Sequence, residues 1–106
     1  MRIAVTATGR TMDSTVDHRF GRCRYVLIVE TDDLGVESVE NSAETMSGGA
    51  GLAAAQLLID RNTDLLLTGE CGPKARAALD AAGIEVRSGC SGPVRDAINQ
   101  VVTQGR

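Results

Sequence analysis

Hydrophobic and polar positions along this chain fall into eight short segments with two different periods. Arg2–Thr6 is a β-branched run that predicts a first strand. Tyr25-Val26-Leu27-Ile28-Val29-Glu30 is apolar nearly throughout, the pattern of a central strand buried on both faces. Val36-Glu37-Ser38-Val39-Glu40 alternates, as a half-exposed strand does, and Asp32-Asp33-Leu34-Gly35 supplies the turn of a hairpin between the two. From about Gly51 to Arg61 the period becomes helical, with Leu52, Ala55, Leu58 and Ile59 on one face. Asp64–Thr68 is a short apolar strand. Pro73 then opens a helix at the position where proline fits best, running to about Ala82 with Ala75, Ala78, Leu79 and Ala82 inward, and Gly83 stops it. Ile84-Glu85-Val86 is a last short strand. Pro93 opens a helix whose Val94, Ala97, Ile98, Val101 and Val102 follow the i, i+3, i+4 rule.

The order is β-β-β-α-β-α-β-α. Helices alternating with strands after a hairpin imply right-handed crossovers and a mostly parallel sheet with helices packed on it. Two connections are long. Ala7–Cys23 is polar with Gly9 and Gly21 as flexible points, and connections of such length in a compact domain are usually functional or disordered. Asn41–Gly49 leads into Ser47-Gly48-Gly49-Ala50-Gly51 ahead of the first helix.

Composition narrows the function. At 106 residues the chain reads as one domain, residues 1–106, burying roughly 60–68% of its unfolded surface. The core must be aliphatic, because Phe20 and Tyr25 are the sole aromatics. A formal charge of −3 gives no general attraction to nucleic acid. The balance reverses locally: Arg10, His18, Arg19, Arg22 and Arg24 face only Asp13 and Asp17, which suggests an anionic ligand or partner. No apolar run is long enough for a secretory signal or a membrane span, so a cytoplasmic protein with reduced thiols is expected. Three widely spaced cysteines argue against a disulfide framework.

Those cysteines are the leading candidates for chemistry. Cys71 and Cys90 lie in near-copies of one pattern, Gly69-Glu70-Cys71-Gly72-Pro73 and Gly89-Cys90-Ser91-Gly92-Pro93, each opening a helix. In open parallel sheets ligands settle at the carboxyl ends of strands. The connection after the first strand and both cysteine turns leave at that end, so His18, Cys23, Cys71 and Cys90 are expected to rim one glycine-walled pocket. Helix N-termini favour negative charge, so the Cys71 and Cys90 thiolates are expected to form easily. Soft sulfur ligands, backbone donors and nearby arginines suit an anionic metal–sulfur cluster. Phe20 reads as an anchor pinning its loop to the core. Cys71-Gly72-Pro73-Lys74 lacks a second cysteine, which excludes dithiol chemistry there, while Lys74 can support an anion. The Ser47–Gly51 turn is a weak nucleotide signal with no Gly-Lys-Ser/Thr after it. The bland reading of each cysteine is a small buried hydrophobe.

His18-Arg19-Phe20-Gly21-Arg22-Cys23-Arg24-Tyr25, Gly48-Gly49-Ala50-Gly51, Thr68-Gly69-Glu70-Cys71-Gly72-Pro73-Lys74-Ala75 and Ala82-Gly83-Ile84-Glu85-Val86 together resemble the dinitrogenase iron–molybdenum cofactor biosynthesis family. The resemblance implies a ribonuclease-H-like α/β fold, a five-stranded mixed sheet with its second strand antiparallel, flanked by three helices. Family members carry or insert metal–sulfur clusters, and include nitrogenase cofactor carriers and small orange proteins holding a molybdenum–copper sulfide cluster. Carried over, the resemblance implies cluster contacts from Arg19, Arg22, Gly48, Gly49, Gly51, Gly72 and Lys74. His18, Cys23, Cys71 and Cys90 are then the candidate metal ligands. The expected function is a carrier or scaffold without turnover, binding an iron–sulfur, molybdenum–iron–sulfur or molybdenum–copper sulfide cluster. Its expected partners are cluster donor and acceptor proteins, with no nucleic acid or membrane, as a monomer or weak homodimer. The alternatives are a thiol redox protein, or an interaction or regulatory domain with incidental cysteines.

Overall fold

The computed structural model describes residues 1–33, 35–41 and 48–103. The part of the hairpin turn expected at Leu34, and most of the expected second connection, including Ser47, lie outside the described residues. The elements are β1 Arg2–Ala7, β2 Tyr25–Glu30, β3 Val36–Glu40, α1 Ala50–Asp60, β4 Leu65–Leu67, α2 Pro73–Ala81, β5 Glu85–Arg87 and α3 Val94–Thr103. Their order is the one that the periodicity predicts.

The five strands form one mixed sheet in the order β3-β2-β1-β4-β5. β1 pairs antiparallel with β2, with Ala7 opposite Tyr25, and parallel with β4, with Val5 opposite Leu67. β2 is therefore the antiparallel neighbour. Three connections consequently meet at one end of the sheet: 8–24 after β1, 68–72 after β4 and 88–93 after β5.

Strand alternation divides the interior into two layers. Ala4, Val26, Ile28, Leu66 and Val86 pack with Leu58 of α1 and Leu79 of α2. Ile3, Val5, Leu27, Val29, Leu65 and Leu67 pack on the other face with Val94, Ile98 and Val101 of α3. The burial of each such aliphatic side chain stabilises the fold by about 1.5–3 kcal/mol. Three expected inward positions face solvent instead. Leu52 is 48% exposed and Val102 is 51% exposed, each lying on the flank of its helix, and Ala82 is exposed just past the end of α2.

The long 8–24 connection is tied down along its length. The Val16 N–H donates to Gly92 C=O at 2.8 Å, Asp17 N–H to Thr6 C=O at 2.8 Å, and Phe20 N–H to Glu70 C=O at 2.9 Å. Beneath it the Thr6 hydroxyl donates to Asp17 C=O at 2.8 Å. Thr6 has then spent its only proton, so the buried Thr68 hydroxyl 2.9 Å away donates to Thr6. Among the described residues no helix is long and apolar enough to cross a membrane.

Candidate anion-binding cavity

α1 and α2 lie side by side on one face of the sheet and start at the same end. Neither start is capped by a side chain, because glycine stands at both N-caps, Gly49 and Gly72. The first bond within α1 runs from Ala53 N–H to Gly49 C=O at 3.0 Å, so Ala50, Gly51 and Leu52 precede it. In α2 it runs from Arg76 N–H to Gly72 C=O at 2.9 Å, leaving Lys74 and Ala75 ahead of it. Such leading N–H groups carry the positive end of the helix dipole. Neither helix places an acid in its first turn, whereas α3 places Asp96 there.

The two starts border a cavity of about 530 Å³. Phe20, Ala50, Leu52, Pro73 and Ala75 give it apolar walls, and Arg22 and Lys74 give it positive charge. Gly49, Gly51 and Gly72 complete the lining. A side chain at Gly51 would press on Ala75, since its Cβ would stand 3.3 Å from the Ala75 Cβ. At Gly72 an added Cβ would meet nothing within 4 Å. A volume of this size suits a polyatomic ligand. The combination of apolar walls, aimed N–H groups and cations suits an anion that sheds water easily.

The loop carrying Phe20 and Arg22 is held there by two close backbone approaches. A Cβ on Gly69 would stand 2.5 Å from the His18 carbonyl oxygen and 2.7 Å from its Cα. Gly21 has φ +95°, and a Cβ there would stand 3.0 Å from Gly51 Cα. The loop therefore lies directly on the β4–α2 turn and on the first turn of α1, which brings Phe20 into the wall.

Five of the seven predicted cluster contacts, Arg22, Gly49, Gly51, Gly72 and Lys74, line this cavity. Arg19 and Gly48 are exposed and are not among its lining residues. The four predicted metal ligands do not gather. Among the described residues, no three His, Cys, Asp or Glu side chains come together closely enough to hold a metal ion. His18 is exposed over Gly69. Cys23 is 0% exposed, within the α1/α2 layer. The Asn41 side-chain amide donates to Cys23 C=O at 2.9 Å and approaches its Sγ at 3.7 Å.

Cys71 and Cys90 lie on opposite faces of the sheet. Cys71 packs with the α1/α2 layer and Cys90 with the α3 layer. The cysteine turns do leave the same sheet end, but α2 covers one face and α3 the other, and each thiol follows its own helix. Cys90 Sγ approaches Arg87 C=O at 3.6 Å, in a separate cavity of about 350 Å³ beside α3. The expected easy thiolate formation is also reversed. Burial pushes the Cys71 thiol up, against the lowering influence of Arg76, and burial likewise pushes up Cys90, against a backbone hydrogen bond at Thr68. Burial, reinforced by Asp17, raises Cys23 to about 11. Desolvation outweighs the helix dipole at Cys71 and Cys90, and outweighs the hydrogen bonds at Cys23.

A family model described as dinitrogenase iron-molybdenum cofactor matches residues 1–104. The chain belongs to that family. Among solved structures, this family member is similar to the apo form of the orange protein from Desulfovibrio gigas, with 45% identity and a TM-score of 0.93. The match covers 97% of this chain and 88% of that one. It also resembles a putative NifB protein from Thermotoga, with 31% identity, a TM-score of 0.82 and coverage of 99% and 89%. An uncharacterized protein of Methanocaldococcus jannaschii is 31% identical over 70 residues, 63% of this chain and 59% of that relative. The chain thus spans less than two thirds of that relative's length.

The apolar half of the cavity was not singled out from sequence. Ala50, Leu52, Pro73 and Ala75 are the first residues of two helices whose starts are marked by Gly49 and Gly72. Reading each helix start as a wall, rather than as the support for a cysteine, would have found them.

Proposed function

We propose that this protein is a carrier or scaffold for an anionic metal–sulfur cluster, held as cargo between the N-termini of α1 and α2. The observation that carries the reading is the convergence of two uncapped helix starts, without acids in their first turns, on one cavity lined by Arg22 and Lys74. Family membership and the likeness to the orange protein support it. The ribonuclease-H-like assignment and a single unit over residues 1–106 belong to the same proposal, as do cluster donor and acceptor partners. The cargo chemistry is iron–sulfur, molybdenum–iron–sulfur or molybdenum–copper sulfide.

In this reading the thiols are not the ligand set. N–H groups of α1 and α2, with Arg22 and Lys74, hold the cluster through charge and hydrogen bonds, and Phe20, Leu52 and Pro73 exclude water. Hydrogen bonds to charged groups are each worth about 1.5–3 kcal/mol. A redox role is disfavoured, because raised thiol pKa values leave little thiolate near neutral pH.

Anaerobic incubation with tetrathiomolybdate and copper(I), or with iron and sulfide, tests the proposal. A carrier acquires charge-transfer bands and stoichiometric metal. Arg22→Ala with Lys74→Ala weakens uptake by about tenfold or more, in line with losing charged hydrogen bonds. A protein that takes up no metal from either mixture, or whose uptake ignores both substitutions, is not a carrier of this kind.

A further inference from the structure

The cavity end of the molecule carries more cations than the cavity uses. Arg10, Arg19, Arg24 and Lys74 are exposed, and among the described residues none of them forms an ion pair. Elsewhere Arg2 pairs with Glu30, Arg61 with Glu37, Arg87 with Glu85 and Arg95 with Asp13. Of these exposed cations only Lys74 lines the cavity. Asp17, Glu40 and Glu70 share this end, and the Asp17 carboxylate accepts the Arg19 backbone N–H at 3.1 Å.

Two of these cations are positioned in advance. The Arg10 guanidinium carbon stands 4.7 Å from the Tyr25 ring centroid and that of Arg24 stands 5.6 Å away. Tyr25 itself is 8% exposed beneath them. A guanidinium resting on an aromatic ring keeps its in-plane N–H donors available, and it loses less freedom when it grips a carboxylate. Arg24 is two residues from Arg22, which lines the cavity.

We propose that this end of the sheet, centred on the Arg10–Tyr25–Arg24 stack, docks an acidic surface of the protein that delivers or receives the cargo. Tyr25 is paired with Ala7 of the α3 layer, so carboxylates on the stack hold that partner at the sheet end where the cavity opens, from the α3 side. The proposal rests on the carrier reading for the purpose of the contact, and on the unpaired, stacked arginines for its location. Single-stranded nucleic acid fits less well. Such ligands use exposed aromatic rings as stacking platforms, and both aromatics are buried, Phe20 at 7% and Tyr25 at 8% exposure.

The test uses poly-L-glutamate as an acidic probe and ¹⁵N-labelled protein. Amide shifts should cluster around residues 10, 19 and 24, and raising the salt should weaken binding. Arg10→Ser with Arg24→Ser should weaken it at least tenfold while thiomolybdate–copper uptake is unchanged. Arg10→Lys with Arg24→Lys, which keeps charge and loses the planar stack, should lie between. Four results would overturn the proposal: equal affinity in the double Ser variant, shifts spread evenly over the surface, tighter binding of polyuridylate, or self-association of the chain through these arginines. Loss of metal uptake in the parent protein, with glutamate binding still localised, would strike the carrier reading and leave the docking surface standing. Intact uptake with indifferent glutamate binding would do the reverse.

Discussion

At the scale of single residues, the three cysteines carry the revision. Cys23 satisfies the expectation of a chemically special position in the wrong sense, being sealed in the core with Asn41 beside it. Its thiol ionises with more difficulty folded than unfolded. The folded protein then keeps a proton that the unfolded chain releases between the ordinary thiol range and about 11. Stability from this group is fully present below that window and falls as pH rises through it, by up to about 1.4 kcal/mol per unit. Urea unfolding of the parent protein and of Cys23→Ala should show this: the difference between them shrinks from about pH 9 upwards. A constant difference to pH 11 would mean that Cys23 is not buried as described. At pH 8 iodoacetamide should modify Cys71 and Cys90 well before Cys23.

Among the elements, the connection over residues 8–24 decides the cavity's shape. Gly69 and Gly83 offer a paired test. Gly69→Ala drives a Cβ into the backbone of His18, and should destabilise the protein by about 1–3 kcal/mol, as overpacking does. Gly83 has φ +80° but open space around its missing Cβ. Gly83→Ala should cost about 1 kcal/mol of backbone strain. It should leave metal uptake alone, whereas Gly69→Ala should reduce uptake by displacing Phe20 and Arg22. Equal effects on uptake would detach the loop from the site. In the core, Leu79→Ala should cost about 2–5 kcal/mol by urea unfolding.

These same elements show what could be read from sequence. β2 and β3 were legible to the residue, because runs such as Tyr25–Glu30 and Val36–Glu40 declare their strand period plainly. The α2 start fell at Pro73 as expected while those of α1 and α3 shifted by one residue, and Leu52 was misplaced because its spacing fits the apolar face while its position at the first turn lets it lean out. The meeting of three connections at one sheet end was legible from strand order and the hairpin. Which face each helix would cover was not. Two matched Cys-Gly-Pro turns look equivalent along the chain, and only the crossover of α3 to the other face separates Cys71 from Cys90. The stack of Arg10 and Arg24 on Tyr25 joins residues from both ends of a long loop, which no local pattern announces.

Across the whole molecule, charge and topology act together. In a chain of net charge −3, the exposed Arg10, Arg19, Arg24 and Lys74, none of them in an ion pair among the described residues, gather at one end. The same end gathers two helix N-termini over an apolar recess. High salt should therefore weaken cluster capture, since part of the attraction is screened over about 8–10 Å. Stopped-flow capture of tetrathiomolybdate with copper(I) at low and high salt would measure that directly. A rate indifferent to salt would leave the charge distribution without a role in capture.

The most direct test of the account is amide chemical-shift mapping of the protein loaded without air with tetrathiomolybdate and copper(I). The account predicts shifts at Arg22, Gly49, Gly51, Leu52, Lys74 and Ala75, none at Gly89–Ser91, and full loading of the Cys71→Ser/Cys90→Ser variant. Shifts centred on Cys90, with loading lost in that variant, would contradict it.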